Sequence, residues 1–288
     1  MQASSRDCAS GHLVVLVHGF QAFPSMLHPM ARAFRDRGVE THVCKCNGSL
    51  LGTFDGIAAG GSRIATEIRP MLQSRQRVTF FGHSLGGLYI RFALNLLRAE
   101  LSGISVEVCT VSTPHEGVEG HWAHGRAVSR MGGRTIGELM MADKDRAISG
   151  LAEEAQLDSL RECTRLVFVG SLNLDVVPGS SALAAKHGVI ASKQLGGVCL
   201  DTNEGGNRND GYCLEKVVPT SLNSEHWAAL ESLPNLERYS ITWKGRHWSA
   251  HDEAAAHYGP YHFLWPGGCP QHAAALVSII LGLPPSAL

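Results

Sequence analysis

A chain of 288 residues, 44% hydrophobic and 18% charged, is long enough to bury a sizeable core in one or two domains. Its formal net charge of −1 comes with no basic stripe, which argues against nucleic acid as a partner. The 15 histidines make the chain much more cationic as pH falls through about 6.5.

The first elements are readable from hydrophobic pattern. His12 to Val17 is an uninterrupted apolar run, as in a parallel strand covered on both faces, and it ends in the turn His18-Gly19-Phe20-Gln21. Met26, Leu27, Met30, Ala31 and Phe34 mark a helix closed by Arg35, Arg37 and Gly38. Val39 to Cys46 alternates as a second strand, Asn47 to Gly61 is a Gly-rich loop, and Ile64, Ile68 and Leu72 place an amphipathic helix.

Then comes the stretch on which the chain turns. The strand formers Val78 to Phe81 meet Gly82-His83-Ser84-Leu85-Gly86, and Leu85, Leu88, Tyr89, Phe92 and Leu96 follow at helical spacing. Strand, tight turn and helix with a serine at the apex is a nucleophile elbow, whose strained serine tolerates only small neighbours. The G-x-S-x-G pattern alone is weak; its context strengthens it.

Beyond the elbow, Ile104 to Val111 is a strand running into Ser112-Thr113-Pro114-His115-Glu116-Gly117. Residues 118–164 read as helical and mixed in polarity, a small inserted cap carrying Trp122, Met131, Leu139, Met140 and Met141. Leu166 to Gly170 is a buried strand followed by Asn173-Leu174-Asp175-Val176-Val177-Pro178, and residues 192–233 form a loop insertion, rich in Gly, Asn and Asp from Gln194 to Gly211. Leu236 to Trp243 gives the last strand, followed by a His-rich loop and a closing helix from about Pro270 to Leu281. The alternation predicts a single α/β domain, a mostly parallel sheet with helices on both faces.

A serine hydrolase needs an activated hydroxyl, a base, a group orienting the base, and donors for an oxyanion. Ser84 supplies the hydroxyl, and the backbone N–H of Leu85 and of Phe20 are the expected oxyanion donors, with His18 holding the turn. Asp175, just after a strand that follows the elbow, is the candidate acid; Asp143, Asp145 and Asp158 lie in solvated helical sequence. Several late histidines are candidate bases: His247, His251, His257 and His262, with His272 poorly placed in the closing helix. Ser…Asp…His is the chain order of α/β-hydrolases.

These residues resemble the α/β-hydrolase superfamily and, within it, the lipase-like serine esterase family long classed as a domain of unknown function. The resemblance rests on Leu13 to Phe20, Phe81 to Leu88, Thr113-Pro114-His115 followed by Gly117, and Asp175 to Pro178, and spans roughly residues 12–190. It implies Ser84 as nucleophile and Asp175 as acid. It points to His251 as base, through Ala250-His251 after the last strand, although the 192–233 insertion lengthens the gap between acid and base.

The reaction expected is hydrolysis of a carboxylic ester, with lipid or other apolar acyl esters as substrate class. Thioester hydrolysis or acyl transfer on the same triad, or a non-catalytic binding protein on this fold, are the alternatives. No cofactor is expected. The His-rich tail with Asp252, Glu253 and Cys269 lacks a tight metal-ligand frame, and Asp201 to Tyr212 starts like a calcium loop but lacks the final Glu. The eight cysteines read as buried free thiols in a reducing compartment. No signal peptide is seen before Gly11, and the apolar stretch 273–283 falls short of the about 20 residues a span needs. A cytoplasmic protein is therefore expected, with room for transient contact with a membrane surface and no indication of oligomeric state.

Overall fold

The computed structural model describes residues 11–49, 51–118, 133–141, 147–171, 177–185, 189–191, 198–201, 211–219, 227–244 and 270–283. The chain starts with β1 (His12–Val17), α1 (His28–Arg35), β2 (Glu40–Val43) and α2 (Ile57–Ile68). β3 (Arg77–His83), α3 (Leu85–Leu96) and β4 (Ser105–Val111) contain the elbow and the strand beside it. Among the described residues, α4 (Gly133–Leu139), α5 (Ala147–Leu151) and α6 (Glu154–Arg161) follow, and then β5 (Arg165–Ser171). The last part comprises α7 (Gly179–Ala182), β6 (Val189–Ala191), β7 (Val198–Asp201), β8 (Gly211–Pro219), α8 (Ala228–Glu231), β9 (Leu236–Lys244) and α9 (Pro270–Leu281).

Six of the strands lie parallel in the order β2-β1-β3-β4-β5-β9. Because side chains alternate along a strand, each apolar run feeds both faces. Val14, Leu16, Phe81, Cys109, Val167 and Val169 pack with Met30 and Phe34 of α1 and Leu276 and Ile280 of α9. Leu13, Val15, Phe80, Val108 and Phe168 pack on the other face with α2, α3 and α6. This is the expected α/β architecture.

Two of the expected elements need correction. The helix expected from Ile64 starts at Ile57, inside the stretch expected to be a Gly-rich loop. The glycines there serve close packing: a Cβ on Gly60 would come 2.2 Å from the Tyr89 ring, and one on Gly61 2.7 Å from Phe92. Glu138 and Thr135 of α4 support the same helix end, accepting the N–H of Ile57 at 2.6 Å and of Gly56 at 2.9 Å. The 192–233 insertion is not all loop either. β8 lies antiparallel to β9, with β6 and β7 antiparallel to β8, extending the sheet. Leu214 and Val217 are buried there, enough apolar surface to hold the strand although Gly and Asn dominate the sequence before it.

The cysteines also divide. Cys44, Cys46, Cys109 and Cys163 are free, whereas Cys213 is disulfide-bonded. In the register of β7 and β8 it stands directly opposite Cys199. The reading of every cysteine as a free thiol therefore fails at Cys213. No helix among the described residues is long and apolar enough to cross a membrane.

At the start of β1, His12 Nε2 donates to Thr79 Oγ1 at 2.9 Å, and the Thr79 hydroxyl donates to Glu107 at 3.1 Å. Burial, with the neighbouring Arg77 charge, lowers the His12 pKa to about 4. A depressed histidine is neutral in both states above pH 6.5; below it the unfolded chain binds the proton first, so stability falls between pH 6.5 and 4. By pH 5 this one group costs roughly 2 kcal/mol, and at most about 3 kcal/mol below pH 4. Urea unfolding at pH 7 and pH 5 measures it. His12→Gln should flatten that part of the slope, and an unchanged slope would show that His12 does not carry it.

Candidate active site

Ser84 sits between the carboxyl end of β3 and the first turn of α3 at φ 54°, ψ −127°, a backbone conformation unusual for a residue with a side chain. Such strain persists only where the surroundings over-determine it. Here the determinants are identifiable. The Ser84 N–H donates to Val111 O at 2.9 Å, and its carbonyl accepts the Gly87 N–H at 3.1 Å and the Thr113 hydroxyl at 2.8 Å.

The neighbouring glycines are demanded by close approach. A Cβ on Gly86 would come 2.3 Å from Val17 O, one on Gly82 2.6 Å from Gly87 Cα, and one on Gly87 2.2 Å from Thr113 Oγ1. The turn after β1 lies directly against the serine, since a Cβ on Gly19 would come 2.7 Å from Ser84 Cβ and 3.2 Å from its Oγ. Ser84 itself is half-buried. Leu85 is the first residue of α3, so its N–H belongs to the unsatisfied group at a helix start. Phe20 follows Gly19, its ring 4.8 Å from that of Phe54.

His18 is buried, its Nδ1–H directed at Gly19 O at 3.1 Å, and burial lowers its pKa. It is a neutral residue fixing the turn, as expected. Asp175, His251 and the alternative bases His247, His257 and His262 lie outside the described residues.

Sequence reasoning passed over the support behind the elbow. Arg91, one and a half turns into α3, is buried, and it donates to His115 O, His115 Nδ1 and Leu151 O at 3.2, 3.3 and 2.7 Å. Because His115 Nδ1 accepts, its Nε2–H donates to Thr110 Oγ1 at 2.8 Å, and the ring stacks on Phe168 at 3.8 Å. Burial and the Arg91 charge keep His115 neutral. One network thus ties the elbow helix to the segment carrying Thr113 and to the end of α5. The available signal was a lone charge on a helix that is otherwise apolar but for Asn95.

Residues 8–135 match the family model described as "Putative serine esterase (DUF676)". That is the family this chain matches. The α/β-hydrolase fold follows from the parallel sheet and the strained serine between β3 and α3. Among solved structures, an extracellular α/β-hydrolase from Paenibacillus species is 16% identical over 35% of this chain and 40% of its own, with TM-score 0.30. Aspergillus fumigatus lipase B is 12% identical over 58% of this chain and 38% of its own, with TM-score 0.44. Bacillus licheniformis lipase BlEst2 is 18% identical over 59% and 69%, with TM-score 0.42. The match spans about two fifths of the length of the first two. No curated protein sequence matches the chain.

Proposed function

We propose that the chain is a serine hydrolase cleaving carboxylic esters, with lipid or other apolar acyl esters as its substrates. The observation that carries this reading is Ser84 at φ 54° in a turn whose neighbouring glycines Gly19, Gly82, Gly86 and Gly87 have no room for a Cβ. Ser84 Oγ attacks the ester carbonyl carbon and gives its proton to His251, which Asp175 orients. The Leu85 and Phe20 N–H groups receive the oxyanion, the alcohol leaves with the proton from His251, and water resolves the acyl-enzyme. In support, β5 ends at Ser171, four positions before Asp175, and β9, parallel to β5, ends at Lys244, seven positions before His251. Both residues follow strands whose carboxyl ends lie on the edge of the sheet that carries Ser84.

The apolar preference rests on the surroundings of the turn. Phe20 packs on Phe54, while Phe23 and Leu51 are 44% and 70% exposed on loops that meet where Pro24 touches Gly48. Of the cap residues, Leu139 is buried in the main core and Met140 and Met141 pack against it, so they cover the sheet. Trp122 and Met131 lie outside the described residues, and residues 118–164 remain the proposed source of an acyl pocket. Each methylene buried in such a pocket contributes about 0.8 kcal/mol. Across a p-nitrophenyl ester series from acetate to octanoate, kcat/KM should therefore rise roughly fourfold per methylene. A flat or falling series would remove the apolar preference and leave a small-ester hydrolase.

A further inference from the structure

A second constellation lies at the edge of the sheet. β2 is the edge strand, and its ladder with β1 continues one step further through Cys44 N–H to Leu16 O at 2.9 Å. His42 and Cys44, two positions apart on this extended stretch, direct their side chains to one face. On that face the last turn of α2 presents Glu67. The ligand-capable atoms of His42, Cys44 and Glu67 all lie within 4.8 Å of one another.

The carboxylate is held in place by the backbone. Glu67 Oε1 accepts the Lys45 N–H at 3.0 Å, and Oε2 accepts the Cys46 N–H at 2.8 Å, besides the 2.7 Å bond from His42 Nε2 to Oε1. Cys44 is 1% exposed. The His42 and Glu67 side chains are 23% and 20% exposed, so the constellation is reached from solvent past these two, with the thiol at its floor. The Cys44 side chain packs in the main core, and its sulfur also faces a carboxylate and an imidazole. A divalent cation would use all three.

We propose that His42, Cys44 and Glu67 form a binding site for one Zn²⁺ ion, which clips the edge strand to the end of α2, with water in the fourth position. Thiolate and imidazole select zinc over magnesium or calcium, which prefer oxygen donors, and zinc accepts such a mixed tetrahedral set. Two tetrahedral ligands at about 2.1 Å from zinc stand roughly 3.4 Å apart, so the His42–Glu67 pair, 2.7 Å apart, opens by about 0.7 Å to admit the ion. On binding, His42 moves its proton to Nδ1, freeing Nε2, and Cys44 loses its thiol proton to solvent. One proton is released per ion, and no oxidation is involved.

The test uses the full chain, stripped of metal with a chelator, then titrated with Zn²⁺ by calorimetry and with Co²⁺ by absorption. His42→Gln keeps a donor to Glu67 and Cys44→Ser keeps the side-chain size, so both should retain the wild-type circular dichroism. The exposed His28→Gln serves as a control for histidines elsewhere. The expected result is one equivalent of Zn²⁺ present in wild type and His28→Gln but weakened about 100-fold or more in both ligand variants. Wild type with Co²⁺ should also show a thiolate-to-metal charge-transfer band that Cys44→Ser lacks. If wild type takes up no ion, or if equivalents and cobalt spectrum are the same in Cys44→Ser, the site does not exist. These readouts do not involve ester hydrolysis, so they stand or fall apart from the proposed activity.

Discussion

Replacing Ser84 by alanine is expected to lower kcat for ester hydrolysis by more than roughly 10³, about 4 kcal/mol of barrier, without unfolding the protein. Alanine keeps the Cβ, so the cost of φ 54° is the same in both proteins. The contacts that hold the turn are made by the Ser84 backbone with Val111, Gly87 and Thr113, and survive the change. Loss of the hydroxyl therefore acts on chemistry and hardly on stability. The measurement pairs steady-state kinetics with a urea melt of the same preparation. A folded variant that still hydrolyses esters at the wild-type rate would remove Ser84 from the mechanism.

The second large effect is steric. Gly86→Ala places a methyl 2.3 Å from Val17 O and 2.8 Å from His18 O, both backbone atoms of the β1 end and its turn. Neither can rotate away, so α3 and the turn must separate. Overpacking of this kind costs about 3 kcal/mol, and a displacement of about 1 Å between nucleophile and oxyanion donors costs on the order of 10² in kcat. Gly137→Ala in α4 and Gly150→Ala in α5 make the contrast, because a Cβ at either meets nothing within 4 Å. They should be neutral or stabilise by about 0.5–1 kcal/mol through helix propensity. Thermal melts of the three variants check the ranking, and a Gly86→Ala protein as stable and active as wild type would mean that the close approach is wrong.

What could be read in advance was whatever neighbouring residues state together. The elbow announces itself because strand, glycines, serine and helix are contiguous, and Pro270 to Leu281 is the closing helix at the expected bounds. Gly60 and Gly61 misled because glycine signals a loop locally, and only the presence of Tyr89 and Phe92 across the interface shows it to be a packing requirement. β8 was hidden for a similar reason, its few apolar residues acquiring meaning only beside β9. Arg91 and Thr113 support Ser84 from 7 and 29 positions away in the chain, and Glu67 meets His42 across 25 positions. No window on the sequence contains such pairs. Asp175 and His251 rest on chain order and on resemblance.

The central claim is that Ser84 is an activated nucleophile. Reaction of the intact protein with a fluorophosphonate, followed by peptide mapping, tests it most directly, because such probes phosphonylate a serine only when a base and an oxyanion site act on it. The account predicts a single adduct on Ser84, absent from Ser84→Ala. An unlabelled Ser84 in the folded protein, or an adduct on a different serine, would contradict it.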